Sequence, residues 1–129
     1  MLDAARDLAE RWGVLSQVRF LPDNLLTADL GEAKYDVCLL GQITHYLTTQ
    51  QNYELFTRIY RALVPGGKLV LDVPMENTQL NESSSFLSLI LWANSGGRAY
   101  TFDEYRSWLS NSGFITIHLL SERLLSAVR

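Results

Sequence analysis

The sequence predicts an α/β fold built on a largely parallel sheet, and three stretches predict it. In the first, Tyr53, Phe56, Ile59, Tyr60 and Leu63 recur at the spacing of one helical face, then Val64-Pro65-Gly66-Gly67 leads into the apolar Leu69-Val70-Leu71. Pro65 cannot continue a helix and the two glycines can take the positive φ of a sharp reversal, so this reads as helix, turn, strand. In the second, Tyr35 to Leu40 is apolar at successive positions except Asp36, the pattern of a central strand covered on both faces. In the third, Ile115 to Leu120 and Leu124 to Val128 flank Ser121-Glu122-Arg123 as an antiparallel hairpin.

Composition bounds the possibilities. A chain of 129 residues, 47% hydrophobic and 19% charged, suits a single domain with one core, residues 1-129. The net charge of -3 and the scattered Lys and Arg form no basic stripe, which argues against nucleic acid as a partner. Cys38 is the only cysteine and lies in an apolar run, as expected of a small hydrophobe in a reducing, cytoplasmic setting. The longest apolar run, about Phe86 to Ala93, is far short of the ~20 residues that span a bilayer, so no membrane association is expected.

In chain order, Leu2, Ala5, Leu8, Ala9 and Trp12 share a helical face that Gly13 is placed to end. Val18 to Leu21 reads as a short strand, broken by Pro22-Asp23-Asn24, a natural Asx turn. The strand Tyr35 to Leu40 delivers Gly41 to Leu47 to its carboxyl end, where ligands of open α/β sheets bind, and this makes His45 the first residue to inspect. Thr48 and Gln51 have capping-box spacing ahead of a helix of about Gln51 to Leu63. Lys68 to Val73 is the next strand, with Asp72 near its end. Pro74 to Ser85 is polar and irregular, of a length at which loops tend to be functional. Glu82 to Asn94 reads as a helix apolar nearly all round, hence buried on more than one side, with Asn-Ser-Gly-Gly as its stop. Thr101 and Glu104 form a second capping box ahead of a helix that Gly113 ends.

The order strand, site loop with His45, helix and Leu63-Val64-Pro65-Gly66-Gly67 resembles the class I S-adenosylmethionine-dependent methyltransferases. Gly96-Gly97-Arg98, Thr101 and Gly113-Phe114 narrow the resemblance to the small-molecule O-methyltransferases of the plant caffeate and bacterial polyketide type. It runs from about Asp3 to Arg129 and covers the back part of that family's catalytic domain. The fold it implies is a partial Rossmann-like methyltransferase sheet, with helices on both faces and a C-terminal antiparallel hairpin, lacking the first β-α-β unit.

The resemblance also implies roles. His45 matches the general base that takes the proton of the acceptor hydroxyl, a sensible use of an imidazole of ordinary pKa near ~6.5. Asp72 lies near an acid that orients that base, so an Asp72 to His45 hydrogen bond is expected. Asp23 or Asn24 would accept from the adenine amino group and Leu25 would cover the ring, an Asx turn being the competing reading. Gly41 stands where plant-type members place a Lys beside the cofactor, and Tyr46 where they place an Asp. Leu91 and Asn94 fall on the helix that lines the acceptor pocket, Leu91 serving equally as core. Where the family has a second catalytic acid, this sequence has Ala99. None of its eight glycines forms Gly-x-Gly, so the loop that holds the methionine end of the cofactor is absent from the sequence. No metal is implied. The implied activity is transfer of a methyl group from S-adenosylmethionine to a hydroxyl of a small aromatic molecule. The alternative is a truncated or degenerate relative that binds or oligomerises without catalysis. In the family's strand order, lacking the first strands leaves Tyr35-Leu40 with an open apolar edge, to be covered by the Val18 strand or by another copy of the chain.

Overall fold

The computed structural model describes residues 2–76 and 82–129, without the side chains of residues 82–85 and 87. Helix α1 (Leu2–Arg11) is followed by strand β1 (Tyr35–Gly41), helix α2 (Thr49–Ala62) and strand β2 (Leu63–Asp72). A short strand β3 (Met75–Glu76), helix α3 (Glu82–Ser95), short strand β4 (Tyr100–Thr101), helix α4 (Phe102–Asn111) and strands β5 (Ile115–Leu119) and β6 (Leu124–Val128) complete the order. The main sheet runs β1-β2-β6-β5; β1 and β2 are parallel, and β6 is antiparallel to both its neighbours. This is the mixed α/β architecture that the sequence implies, with the expected hairpin at its end.

Both capping boxes form. Thr48 accepts from Gln51 N at the start of α2 while Gln51 Oε1 accepts from Thr48 N, and Thr101 and Glu104 do the same for α4. The buried face of α2 is Asn52, Leu55, Phe56, Ile59 and Ala62. Phe56, Ile59 and Leu63 of the predicted face are buried, while Tyr53 is exposed. Leu55, Phe56 and Ile59 pack with Leu69, Leu71, Leu125 and Ala127 of the sheet and Tyr105 and Leu109 of α4 to make the core. Burial of each such aliphatic side chain contributes roughly 1.5–3 kcal/mol.

The Pro65-Gly66-Gly67 segment is a kinked part of β2 rather than a free turn. The β1–β2 register slips between Tyr35↔Leu63 and Val37↔Lys68, and Gly66, at φ +79°, donates its N–H to the Arg129 carbonyl, while Arg129 N–H donates to Gly67 O. The irregularity thus ties the start of β2 to the end of β6.

Three expectations need correction. Val18–Leu21 is not a strand: Val18 is extended at φ −115° and ψ 128°, but the segment joins no ladder and does not pair with the open edge of β1. Strand β1 is therefore an edge strand, not a central one, and Tyr35, Val37 and Leu39 are exposed along one of its faces. Helix α3 is not buried all round: Leu91 is 4% exposed, but Phe86 is 66% and Trp92 68% exposed. Its apolar residues outnumber the surfaces the described chain offers them. Of the predicted loop from Pro74 to Ser85, residues 77–81 lie outside the described residues; the described part holds β3, paired in parallel with β4, and the start of α3.

Candidate functional site

The site gathers at the carboxyl ends of β1 and β2. Gly41 is in register with Asp72, and Gln42, at φ +54°, donates its N–H to the Asp72 carbonyl at 2.8 Å. Positive φ is uncommon for a side-chain-bearing residue and marks a constrained bend, here the exit of β1 toward the next turn. The space where a Gly41 side chain would stand is open, with no atom within 4 Å. A short 3-10 turn, Thr44–Tyr46, follows and carries His45, which is 5% exposed.

Polar side chains hold that turn from behind. Asn52, fully buried in the first turns of α2, donates Nδ2–H to the carbonyls of Thr44 (2.9 Å) and Leu47 (3.2 Å). The Tyr100 hydroxyl donates to Leu47 O at 2.7 Å, and Thr44 Oγ1 and the Tyr105 hydroxyl share a hydrogen bond of 2.9 Å. Burial drives the Tyr105 hydroxyl well above its ordinary pKa, so it stays protonated. From the other side Gly97 presses on the turn, close to the main chain of His45 and Tyr46. The His45 and Tyr46 rings meet at 4.3 Å between centroids.

Burial, with the positive charge of Arg123 adding to it, lowers the His45 pKa from its ordinary value, so the imidazole is neutral at pH 7, the form a general base requires. The expected hydrogen bond from Asp72 is not formed. Among the described residues His45 Nδ1 is buried without a partner, and the Asp72 carboxylate stands 3.5 Å from the Arg123 guanidinium instead. Arg123 reaches it because the β5–β6 turn folds over the end of β2, where Val73 N–H donates to Arg123 O. Ala99, at the place of the second acid, is buried and supplies no substitute.

The other predicted residues fare differently. Asn24 forms the Asx turn, its Oδ1 accepting from Leu26 N at 2.9 Å; the Asp23 side chain is exposed. Leu25 is half-buried against the core, and its carbonyl is held by Arg58 of α2. Asn94 is exposed and donates Nδ2–H back to Ile90 O of its own helix, while Leu91 is core. The structure sets Gly41 beside Asp72 at the strand ends and His45 in the turn that follows, where Gly97, just past α3, meets its main chain, and it ties the Leu25 carbonyl to Arg58 of α2. Asn52, Tyr100, Tyr105 and Arg123 were not singled out from the sequence. For Asn52 a signal existed: an amide at the head of the stripe Asn52, Leu55, Phe56, Ile59 is a polar group facing the core.

This architecture, a parallel strand pair with a neutral histidine beyond its carboxyl end and an antiparallel hairpin closing the sheet, defines a methyltransferase-like α/β domain. A family model described as a methyltransferase domain matches residues 1–67, and the chain belongs to that family. Over 104 residues the chain is 36% identical to the tetracenomycin polyketide synthesis 8-O-methyl transferase TcmO of Streptomyces glaucescens, an alignment covering 78% of this chain and 30% of that protein. Among solved structures, a candidate O-methyltransferase from Nostoc punctiforme PCC 73102 superposes with a TM-score of 0.86 at 28% identity, covering 99% of this chain and 41% of that one. Human N-acetylserotonin methyltransferase in complex with S-adenosylmethionine matches in fold, with a TM-score of 0.71 at 20% identity over 92% of this chain and 37% of that one. The chain thus spans well under half the length of the relatives it matches.

The residues present fit part of S-adenosylmethionine, the methyl donor of this family. Open space at Gly41 leaves room beside the strand ends, and the Asp23 side chain is exposed. For the methionine end the sequence offers no Gly-x-Gly loop.

Among the described residues no His, Cys, Asp or Glu group is arranged to hold a metal ion, and no helix is long and apolar enough to cross a membrane.

Proposed function

We propose that this chain carries the base and acceptor side of an S-adenosylmethionine-dependent O-methyltransferase acting on a hydroxyl of a small aromatic molecule. The observation that carries the reading is His45, a buried neutral imidazole held at the carboxyl end of a methyltransferase sheet. Bound S-adenosylmethionine supplies an electrophilic methyl group. The chain's own part is alignment and removal of one proton: His45 accepts the hydroxyl proton as the oxygen attacks. Asp23 and Leu25 serve the adenine, Gly41 leaves room for the cofactor, and Leu91 and Asn94 stand at the acceptor side. The relationship to an 8-O-methyl transferase of polyketide synthesis supports a small hydroxylated acceptor. Labelled methyl transfer to a panel of hydroxylated aromatics tests this, with His45→Ala as control: activity lost in the variant supports the reading, and activity retained in it removes His45 as base.

A second reading is a methyltransferase-like module that binds or associates without catalysis. It is favoured by the unpartnered His45 Nδ1, the engagement of Asp72 by Arg123 and the alanine at position 99. In both readings the open β1 edge pairs with a second copy of the chain. A groove of about 260 Å³ lined by Leu30, Tyr35, Val37, Cys38 and Leu39 of the β1 side, with Ile59 and Leu63, runs beside that edge and supports this association.

A further inference from the structure

We propose that Asn52 is the positioning residue of this site, a clamp that fixes the His45 turn from the core, with Tyr100 as its second jaw. The inference deepens the methyltransferase reading and rests on it only in taking His45 as the base.

A three-residue 3-10 turn is a weak holder of a side chain, because its hydrogen bonds are few and poorly aligned. This one is gripped on either side of His45. Asn52 Nδ2–H reaches the carbonyl just before His45, that of Thr44, and the carbonyl two residues after it, that of Leu47. The Tyr100 hydroxyl donates to that same Leu47 carbonyl. Asn52 is 0% and Tyr100 2% exposed, so both donors are fixed by packing before they meet the turn. Asn52 is anchored in α2 and Tyr100 in β4, so the turn is pinned to two separate elements of the core.

A buried amide at the head of an apolar helical stripe costs desolvation that a leucine there would not. The grip on the turn offsets it, since among the described residues its own Oδ1 finds no partner. A side chain that delivers a proton-accepting nitrogen must be held to within roughly 0.5 Å, and packing alone seldom achieves that on a loop. Loosening the clamp lets the turn move outward, water reaches the imidazole, and the burial that lowers its pKa is relieved.

The test is a pH titration of the two histidine ring signals by NMR in the wild type and in Asn52→Leu, which keeps the volume and removes both donors. His118, on exposed β5, is the only other histidine and reports on the global fold in the same sample. The expected result is a His45 midpoint that moves up toward the ordinary imidazole value, with the His118 curve unchanged. A folded Asn52→Leu protein with an unshifted His45 curve overturns the proposal, even if its melting temperature falls, since a merely structural role lowers stability without moving that curve. If Asn52→Leu does not fold, Tyr100→Phe removes one donor and keeps the ring; it should shift His45 in the same direction by less, and no shift there overturns the clamp. Neither measurement needs cofactor or acceptor. A shift in a protein that never transfers methyl groups keeps the clamp and sinks the methyltransferase reading, and the reverse pattern does the opposite.

Discussion

A Cβ added to Gly97 would stand 2.2 Å from the His45 carbonyl oxygen, so the turn bearing the candidate base and the connection that follows α3 touch main chain to main chain. The contact is possible only for glycine, since both partners are backbone and neither can rotate away. It couples the helix assigned to the acceptor side directly to the histidine.

Gly97→Ala is therefore expected to destabilise the fold by about 1–3 kcal/mol through overpacking, read from urea unfolding, and to disturb the His45 ring signals. Gly41→Ala is the control. Its Cβ meets nothing within 4 Å and its φ is ordinary, so it should change stability by less than about 0.5 kcal/mol. Equal effects of the two substitutions would remove the significance given to the Gly97 contact.

Arg123 lies over the end of β2 and its charge opposes protonation of His45. Replacing it by glutamine, at an exposed position, should raise the His45 pKa while leaving the melting temperature nearly unchanged. It also frees Asp72. An NMR titration of Arg123→Gln that overlays the wild type would show that the guanidinium does not act on the site.

The lowered pKa of His45 carries a stability consequence. The unfolded chain takes up a proton on this residue near the ordinary imidazole value of 6.5, and the folded chain does so only at lower pH. Between those two values the unfolded state binds more protons, so stability falls as pH drops through that interval and levels off below it. His45→Gln should lose this part of the slope. Denaturant midpoints measured from about pH 7.5 down to about pH 5.5 decide it, identical slopes in the two proteins being the contrary outcome.

The parts of this fold that were legible in the sequence were those governed by local chemistry. Thr48 with Gln51 and Thr101 with Glu104 announce two helix starts, and Ser121-Glu122-Arg123 between two apolar runs announces the hairpin. What was not legible depended on partners. Val18 to Leu21 has the residues of a strand but joins no ladder, and α3 has the residues of a buried helix but exposes Phe86 and Trp92. At the site, the position of His45 followed from the strand that precedes it. The fate of Asp72 did not, because Arg123, distant in sequence, competes for its carboxylate through a turn whose fold-back no local pattern encodes.

The open edge of β1 gives a prediction about assembly. Val37 and Leu39 are 59% and 66% exposed on one face of an unpaired edge strand. If two copies meet there, a lysine at position 39 should convert the dimer to a monomer, since an inserted charge blocks edge pairing. Light scattering of wild type and Leu39→Lys checks this; a wild type that is monomeric at all concentrations argues against the pairing.

The most direct test of the methyltransferase account is an amide NMR titration of the chain with S-adenosylhomocysteine, the product form of the methyl donor. With contacts available for only part of that molecule, saturation is expected in the range of about 0.1–1 mM, equivalent to roughly 4–5.5 kcal/mol of binding. The signals of Asp23 to Leu26 and of Gly41 to His45 should move together. No saturable change at several times that concentration, or changes confined to the groove beside β1, would contradict the account.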